Sequence, residues 1–333
     1  MKNNTKVKLV KRPIGKPDES SWEIVSEPVP EIKDGEVLVK VKYLSIDPAM
    51  RGWMNEGKSY IKPVALGDVM RALGVGEVVE SKSDKVKVGD FVSAGMGVQE
   101  YTVLPEKEAL KVDTSFIDLP VYLGTLGMSG LTGYFGLLDT GKPVEGETVV
   151  VSGAAGSVGS VVGQIAKIKG CRVVGIAGGK EKCDYVVNEL GFDACVDYKG
   201  GRLRRDLREA APDGVDVYFD NVGGEILDTV LTLINMKARI VICGAISQYN
   251  ATTPYGIKNH LSLLVNRAKM EGIVIFDNVA NYGKAAKEMA GWIAQGKLNS
   301  KYHVEEGGVN AFHETFMKLF EGANTGKMVL KMD

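Results

Sequence analysis

An α/β fold is predicted, in which a doubly wound parallel sheet follows a mostly antiparallel, barrel-like β domain. Three observations predict it. Short β-branched strands divided by Gly, Pro and charged turns occupy the chain up to about residue 120. Compact apolar strands alternating with helix-length stretches begin near residue 126. A glycine-rich turn joins the first of those apolar strands to an apolar helix.

In the first region the strand candidates are KVKLVKR, GEVLVKVKYLSI, GVGEVVES, DFVSAG and QEYTVLP. Their alternation of β-branched and polar residues suits strands with one face on a core, as in an antiparallel barrel. In the second region TVVVSG, CRVVGIAGG, ACVDY, VDVYFDNVGG and ARIVICGAIS are nearly unbroken apolar runs. Such runs suit parallel strands covered by helices on both faces. GIVIFD near residue 272 is expected to extend this sheet, and the amphipathic stretch 282–295 to form its last helix. The tail reads as strand, helix, loop and strand, placed to return to the first domain.

A chain of 333 residues suits two domains, at roughly 100–200 residues each. Its 44% hydrophobic and 25% charged residues and formal net charge of -1 fit a soluble globular protein. The basic cluster at 202–208 is interrupted by Leu203, Asp206 and Leu207, which reads as a helix surface and not as a nucleic-acid footprint. Cys171, Cys183, Cys195 and Cys243 are scattered singly, so reduced, mostly buried thiols are expected. The N-terminus has no apolar core of signal-peptide length, and no apolar run approaches the ~18 residues of a membrane span. A cytoplasmic protein without membrane or nucleic-acid partners is the expectation.

After the strand Thr148-Val149-Val150-Val151 comes the turn Gly153-Ala154-Ala155-Gly156-Ser157-Val158-Gly159, then the helix VVGQIAKIKG. Small residues let the backbone approach a pyrophosphate, while the helix start supplies unpaired N–H groups and the positive end of its dipole. Tight strand-to-helix packing is the competing use of these glycines. The end of the next strand chooses between dinucleotides: a carboxylate binds the ribose hydroxyls of NAD, whereas a cation accommodates the extra phosphate of NADP. Here Gly178 and Gly179 fill the acidic position, and Lys180 and Lys182 follow, which favours NADPH. Lysines at a helix start oppose the dipole unless an anion is near. Gly136 through Lys142 resembles a P-loop, but Pro143 replaces the required hydroxyl residue, so the match is attributed to chance.

His260, His303 and His313 are the only histidines, and none has a second ligand at metal spacing, so no metal is expected. Tyr255 and Lys258 are three apart rather than four, and no Gly-x-Ser-x-Gly elbow occurs. Carbonyl reduction and hydrolysis thus lack their usual groups. Reducing a conjugated carbon–carbon double bond asks less: hydride adds to the β-carbon, and the enolate needs a hydrogen-bond donor and then a proton.

The segments YLSIDPAMRG (43–52), GTLGMSGLTGYFGLL (124–138), VSGAAGSVGSVVGQIAKIKG (151–170), YFDNVGG (218–224), ICGAISQYN (242–250) and NTGKMVL (324–330) occur in order over nearly the whole chain. By them the chain resembles the prostaglandin reductase and alkenal double-bond reductase branch of the zinc-independent medium-chain dehydrogenase/reductase superfamily. The resemblance implies a GroES-like catalytic domain at 1–125, a Rossmann dinucleotide-binding domain at 126–298, a tail at 299–333 returning to the first, and a homodimer. It implies that Gly156, Ser157, Val158 and Gly159 contact pyrophosphate, that Lys182 and Tyr198 hold the 2′-phosphate side, and that Asn221 approaches the cofactor. Cys243, Gly244, Ala245, Ile246, Ser247 and Tyr249, with Ile273, Val274 and Ile275, would border the nicotinamide, and Asn324 would complete the pocket. Tyr43, Ala49, Met128 and Thr132 are the implied substrate-pocket positions. Ala49 stands where relatives often carry an aromatic residue, which leaves room for a bulkier substrate or a wetter pocket.

Tyr249 is the candidate to orient the substrate carbonyl or donate to the enolate, because its hydroxyl stays protonated near neutral pH. An aromatic lid over the nicotinamide is the alternative for it. Turn chemistry offers competing roles for Tyr198, Asn221 and Asn324. Cys243 reads as small buried packing rather than a reactive thiol. The expected activity is NADPH-dependent reduction of α,β-unsaturated aldehydes and ketones. A quinone reductase of the same superfamily and a non-catalytic NADPH-binding protein are the alternatives.

Overall fold

The computed structural model describes residues 3–332; Met1, Lys2 and Asp333, at the outer bounds of the expected domains, lie outside the described residues. The chain divides into two compact units, Met1–Leu123 with Tyr302–Asp333, and Gly124–Lys301.

The first unit opens with β1 (Asn3–Leu9) and β2 (Trp22–Pro28), an antiparallel ribbon. Then come β3 (Glu36–Ser45), α1 (Ala49–Trp53), β4 (Leu73–Ser81), β5 (Phe91–Gly95), β6 (Tyr101–Pro105) and β7 (Leu110–Lys111). Strand β3 carries the alternation noted in the sequence: Val37, Val39 and Val41 are fully buried in the unit's main core. Leu38, on the opposite face, packs with Ile32 and Tyr101 in a smaller cluster, so both faces of this strand are covered.

In the second unit the strands β8 (Thr148–Ser152), β9 (Arg172–Ala177), β10 (Ala194–Asp197), β11 (Val215–Asp220), β12 (Ile234–Ile242) and β13 (Lys269–Gly272) are all parallel. Their order is β10-β9-β8-β11-β12-β13, reversing direction between β8 and β11. The helices are α2 (Met128–Phe135), α3 (Ser157–Ile168), α4 (Lys180–Asn188), α5 (Leu203–Ala210), α6 (Gly224–Val230), α7 (Leu261–Val265) and α8 (Tyr282–Ala294). Val149 and Val151 enter one core and Val150 the other, so the sheet is sandwiched on both faces and its strands read as continuous apolar runs.

The expected strand at 272–277 is corrected. Strand β13 runs Lys269–Gly272, and Ile275–Asn281 forms a 3-10 helix. The register explains the shift: Gly272 is opposite Ile242, the last residue of β12, so the chain beyond it has no strand to pair with. Ile273 instead packs against the core. The basic cluster lies where expected, on α5, with Leu207 as its buried residue.

The tail supplies β14 (Tyr302–Glu305), α9 (Phe312–Glu321) and β15 (Lys327–Lys331). These strands join the first unit's seven-stranded sheet in the order β14-β15-β3-β4-β5-β7, with β6 also on β3. Strand β15 is antiparallel to β3, with Leu330 opposite Leu44. Strand β1 overlaps the expected KVKLVKR, whereas β2 and helix α1 have no counterpart among the sequence expectations: β2 (WEIVSEP) is half exposed and charged, and α1 has only five residues.

Candidate active site

The crevice at the carboxyl ends of β8 and β11 is the switch point where open parallel sheets bind ligands. Gly156 caps α3 in an extended conformation, and Ser157 begins the helix. A Cβ on Gly159 would lie 2.3 Å from the Gly153 carbonyl oxygen, so only glycine permits the helix to start this close to the turn. The Ser157 hydroxyl oxygen is buried with no hydrogen-bond partner. A buried hydroxyl left unpaired beside the N–H groups of a twelve-residue helix is a fit for an anion's oxygens.

Across the crevice, Asp220 ends β11 with its carboxylate wholly buried. It accepts from Ser152 Oγ at 2.9 Å, Tyr218 OH at 2.7 Å, and the amides of Val222 and Gly223 at 3.0 Å. Ser152 Oγ in turn accepts from the Asn221 amide, while Asn221 Nδ2 donates to the Ser152 carbonyl at 2.7 Å. Asn221 is thereby pinned to the end of β8. Burial, followed by the Asp220 charge, pushes the Tyr218 hydroxyl well above the ordinary tyrosine range, so it stays a donor.

The Asp220 main-chain carbonyl accepts from the Cys243 and Gly244 amides at 2.9 and 3.1 Å, which starts the loop after β12. Ile246 and Ser247 donate from their amides to the carbonyls of Asn221 and Val222, and Ser247 Oγ to Val222 at 2.6 Å. The loops after β11 and β12 therefore form one hydrogen-bonded rim. The Tyr249 hydroxyl sits within that rim and accepts from the Ala245 amide at 3.2 Å. The Cys243 thiol is pushed up to about 12 by burial and then by Asp220, which leaves it an inert packing group at neutral pH.

Ile273 follows β13 with its amide on the Ile242 carbonyl at 3.1 Å, and Val274 caps the 3-10 helix that Ile275 begins. The Tyr282 hydroxyl donates to the Ile275 carbonyl at 3.0 Å and lies 3.7 Å from the Met128 sulfur, tying that helix to α2. Thr132 Oγ1 donates back to the Met128 carbonyl at 2.7 Å, so its hydroxyl serves its own helix.

At the end of β9 no acidic residue stands. The Gly178 backbone is crowded by the next strand's exit: a Cβ there would lie 3.0 Å from the Tyr198 hydroxyl and the Lys199 side chain. Asp197 Oδ1 accepts from the Gly179 amide at 2.8 Å and the Lys199 amide at 2.9 Å, locking the two loops together. Lys182, in the first turns of α4, is held below the ordinary lysine range by burial and then by the Lys199 charge. Lys180 points away, paired with Asp184 on its own helix at 2.5 Å. Beside Tyr198 a cavity of about 680 Å³ carries Arg202, Arg204, Arg205 and Arg208 on its wall, which extends the positive ground.

Three predicted residues belong to the first unit. Tyr43 lies in β3 against a small cluster with Val75 and Val329. Ala49 opens α1 and is half-buried. Asn324 closes a turn, its Nδ2 donating to the Gly326 carbonyl at 2.7 Å. Close by in that unit, buried Lys327 reaches Asp47 at 2.6 Å and the Ile46 carbonyl at 3.0 Å, joining the DPAMRG and NTGKMVL segments.

Two family models match the chain, one described as the N-terminal domain of oxidoreductase over residues 5–112, the other as zinc-binding dehydrogenase over residues 157–291. The putative NADP-dependent oxidoreductase YfmJ of Bacillus subtilis is 48% identical, over 98% of this chain and 97% of that protein. The NADP(+)-dependent 2-alkenal reductase of Nicotiana tabacum is 40% identical, over 98% and 97%. The crystal structure of CurA from Vibrio vulnificus in complex with NADPH superposes with a TM-score of 0.93 at 42% identity, covering 99% of each chain. The chain belongs to the zinc-independent medium-chain dehydrogenase/reductase family. It is an oxidoreductase.

In this medium-chain reductase the three histidines are dispersed. His303 pairs with Glu305 at 3.0 Å, His313 accepts from the Trp22 indole at 3.0 Å, and His260 caps α7. Among the described residues no three His, Cys, Asp or Glu side chains are grouped to hold a metal ion, so the donor set does not fit the zinc in that family description. The P-loop look-alike is the π-helix Gly136–Gly141, ending at a left-handed Lys142 whose carbonyl accepts from Arg239. Sequence reasoning missed Asp220 and Ser152, the pair that fixes Asn221. The signal was present: an acid ending an otherwise apolar strand, and a serine at the same place on its neighbour.

Proposed function

We propose that this chain is an NADPH-dependent reductase of the conjugated carbon–carbon double bond in α,β-unsaturated aldehydes and ketones. The observation that carries the reading is the acid-free strand end at Gly178 and Gly179, with Lys199 and Tyr198 packed against Gly178 and the Lys199 charge acting on Lys182. A phosphate there would relieve the repulsion between the two lysines, whereas a bare ribose would not. Gly156, Ser157, Val158 and Gly159 would receive the pyrophosphate at the start of α3. When bound, the cofactor supplies the hydride. The rim of Cys243 through Tyr249, with Asn221 and Ile273 through Ile275, would orient it, and Tyr249 would donate to the developing enolate. Met128, Thr132, Tyr43, Ala49 and Asn324 are proposed for the substrate side.

The names of the relatives support the reaction class: one acts on 2-alkenals with NADP(+) and another is described as NADP-dependent. No helix among the described residues is long and apolar enough to cross a membrane. We take the enzyme to work in the cytoplasm as a homodimer, which light scattering on the purified chain tests. The deciding experiment follows cofactor oxidation with a panel of 2-alkenals, enones and benzoquinones, each with NADPH and NADH. Fastest turnover of alkenals or enones with NADPH is expected. Preference for quinones, or equal use of NADH, would overturn the reading.

A further inference from the structure

We propose that Cys183 and Cys195 form a peroxide-sensitive dithiol whose oxidation to a disulfide weakens dinucleotide binding at the neighbouring lysines. Their sulfurs lie 2.9 Å apart, with the Cys195 thiol donating to Cys183. Cys195 sits on β10 opposite Gly175 of β9. Cys183 sits one residue after Lys182, its amide on the Gly179 carbonyl at 3.2 Å. Both thiols are only half-buried, so a small oxidant reaches them, whereas Cys171 is buried. A disulfide is about 2.05 Å long, so the two sulfurs need to approach by about 1 Å.

The two thiols have different roles. The hydrogen bond from Cys195 lowers the Cys183 pKa, against burial and the charges of Asp197 and Asp184. The same contact, then burial, raises Cys195. Cys183 is therefore the nucleophile and Cys195 the resolving thiol. The Cys183 sulfur attacks a peroxide oxygen, the O–O bond breaks, and the departing hydroxide takes the thiol proton as water, leaving a sulfenic acid. The Cys195 sulfur then displaces hydroxide from that sulfur. The S–S bond forms, the S–O bond breaks, and the Cys195 proton leaves with the hydroxide as a second water. A dithiol such as dithiothreitol returns both electrons and both protons.

The consequence follows from the neighbours. Strand β10 is held by β9, so the first turn of α4 makes most of the movement and shifts Lys182, the residue before Cys183, from the place at which it would meet the phosphate. Only this consequence rests on the cofactor reading above; the crosslink does not.

The test treats the purified full chain with hydrogen peroxide, maps crosslinked peptides by mass spectrometry, and titrates NADPH by fluorescence before and after. A Cys183–Cys195 peptide lacking two hydrogens and reversed by dithiothreitol is expected, absent from Cys195→Ser. The NADPH dissociation constant should rise roughly fivefold or more, the low end of ordinary coupling between sites, and should not change in peroxide-treated Cys195→Ser. Oxidation of the two cysteines without a crosslink, or a crosslinked chain with unchanged NADPH affinity, overturns the proposal. Failure of the reduced chain to bind NADPH, with the crosslink still formed, would instead overturn the cofactor reading together with this consequence, and leave the dithiol chemistry supported.

Discussion

The Tyr249 hydroxyl accepts a hydrogen bond from the Ala245 amide at 3.2 Å, within the same loop. A phenol accepts through a lone pair and donates through its O–H. With the proposed donor role, Tyr249→Phe should lower kcat by about a hundredfold, the low end of what general acid catalysis contributes. The KM for NADPH should hardly move. Steady-state kinetics decide it, and an unchanged kcat would restrict the hydroxyl to shaping the loop.

Lys182→Ala removes the half-buried cation after the glycine-ended strand. The KM for NADPH should rise about 10- to 100-fold, since hydrogen bonds to charged groups are worth about 1.5–3 kcal/mol, and that for NADH should stay nearly constant. Equal changes with both dinucleotides would refute a phosphate role.

Asp220→Ala withdraws an acceptor from two hydroxyls and two amides in a site closed to water. Each stranded donor costs about 1–3 kcal/mol, so the second unit should lose at least about 3 kcal/mol in urea unfolding. A loss below about 1 kcal/mol, the ordinary size for a point mutation, would mean that the loops rearrange around the gap.

Lys327→Ala should destabilise the first unit strongly, because it abandons Asp47 and a buried carbonyl at once. Losing one partner of a buried pair costs about 3–5 kcal/mol. The double variant Asp47→Leu with Lys327→Met should recover most of that in the same denaturation assay; if it is no better than the single variant, the pair is not the source of the loss.

Glu27 accepts from Lys6 at 2.9 Å and from Lys8 at 2.5 Å across the β1–β2 ribbon, which pulls its carboxyl from 4.5 to about 2. A carboxyl lowered by folding stabilises above its unfolded value and loses that contribution as pH falls through the folded one. The wild-type melting temperature should therefore exceed that of Glu27→Gln above pH 4.5, and the two curves should converge as the pH approaches about 2. Parallel curves across that range would disprove the linkage.

Local patterns made much of this molecule legible. The unit from β8 to α3 is readable because strand, turn and helix are contiguous, and the acid-free end of β9 because the choice lies within a few residues. Features that depend on distant partners were not. Strand β13 was misplaced because its register is set by where β12 ends, not by where Ile273, Val274 and Ile275 cluster. The role of Asp220 needs Ser152, 68 residues earlier. The proximity of Cys183 to Cys195 needs the return from α4 to β10, which no cysteine count reveals.

The Ile46 carbonyl is bound by a lysine 281 positions downstream, and β15 fills a place inside the sheet between β14 and β3. During synthesis the segment Gly124–Lys301 has all its partners as soon as it leaves the ribosome. The earlier segment must wait, with the Tyr43–Ser45 end of β3 lacking its partner strand, until nearly the whole message has been read. Bare strand edges invite association with other nascent chains, so the interval between making β3 and making β15 is the period in which this polypeptide has most need of a chaperone.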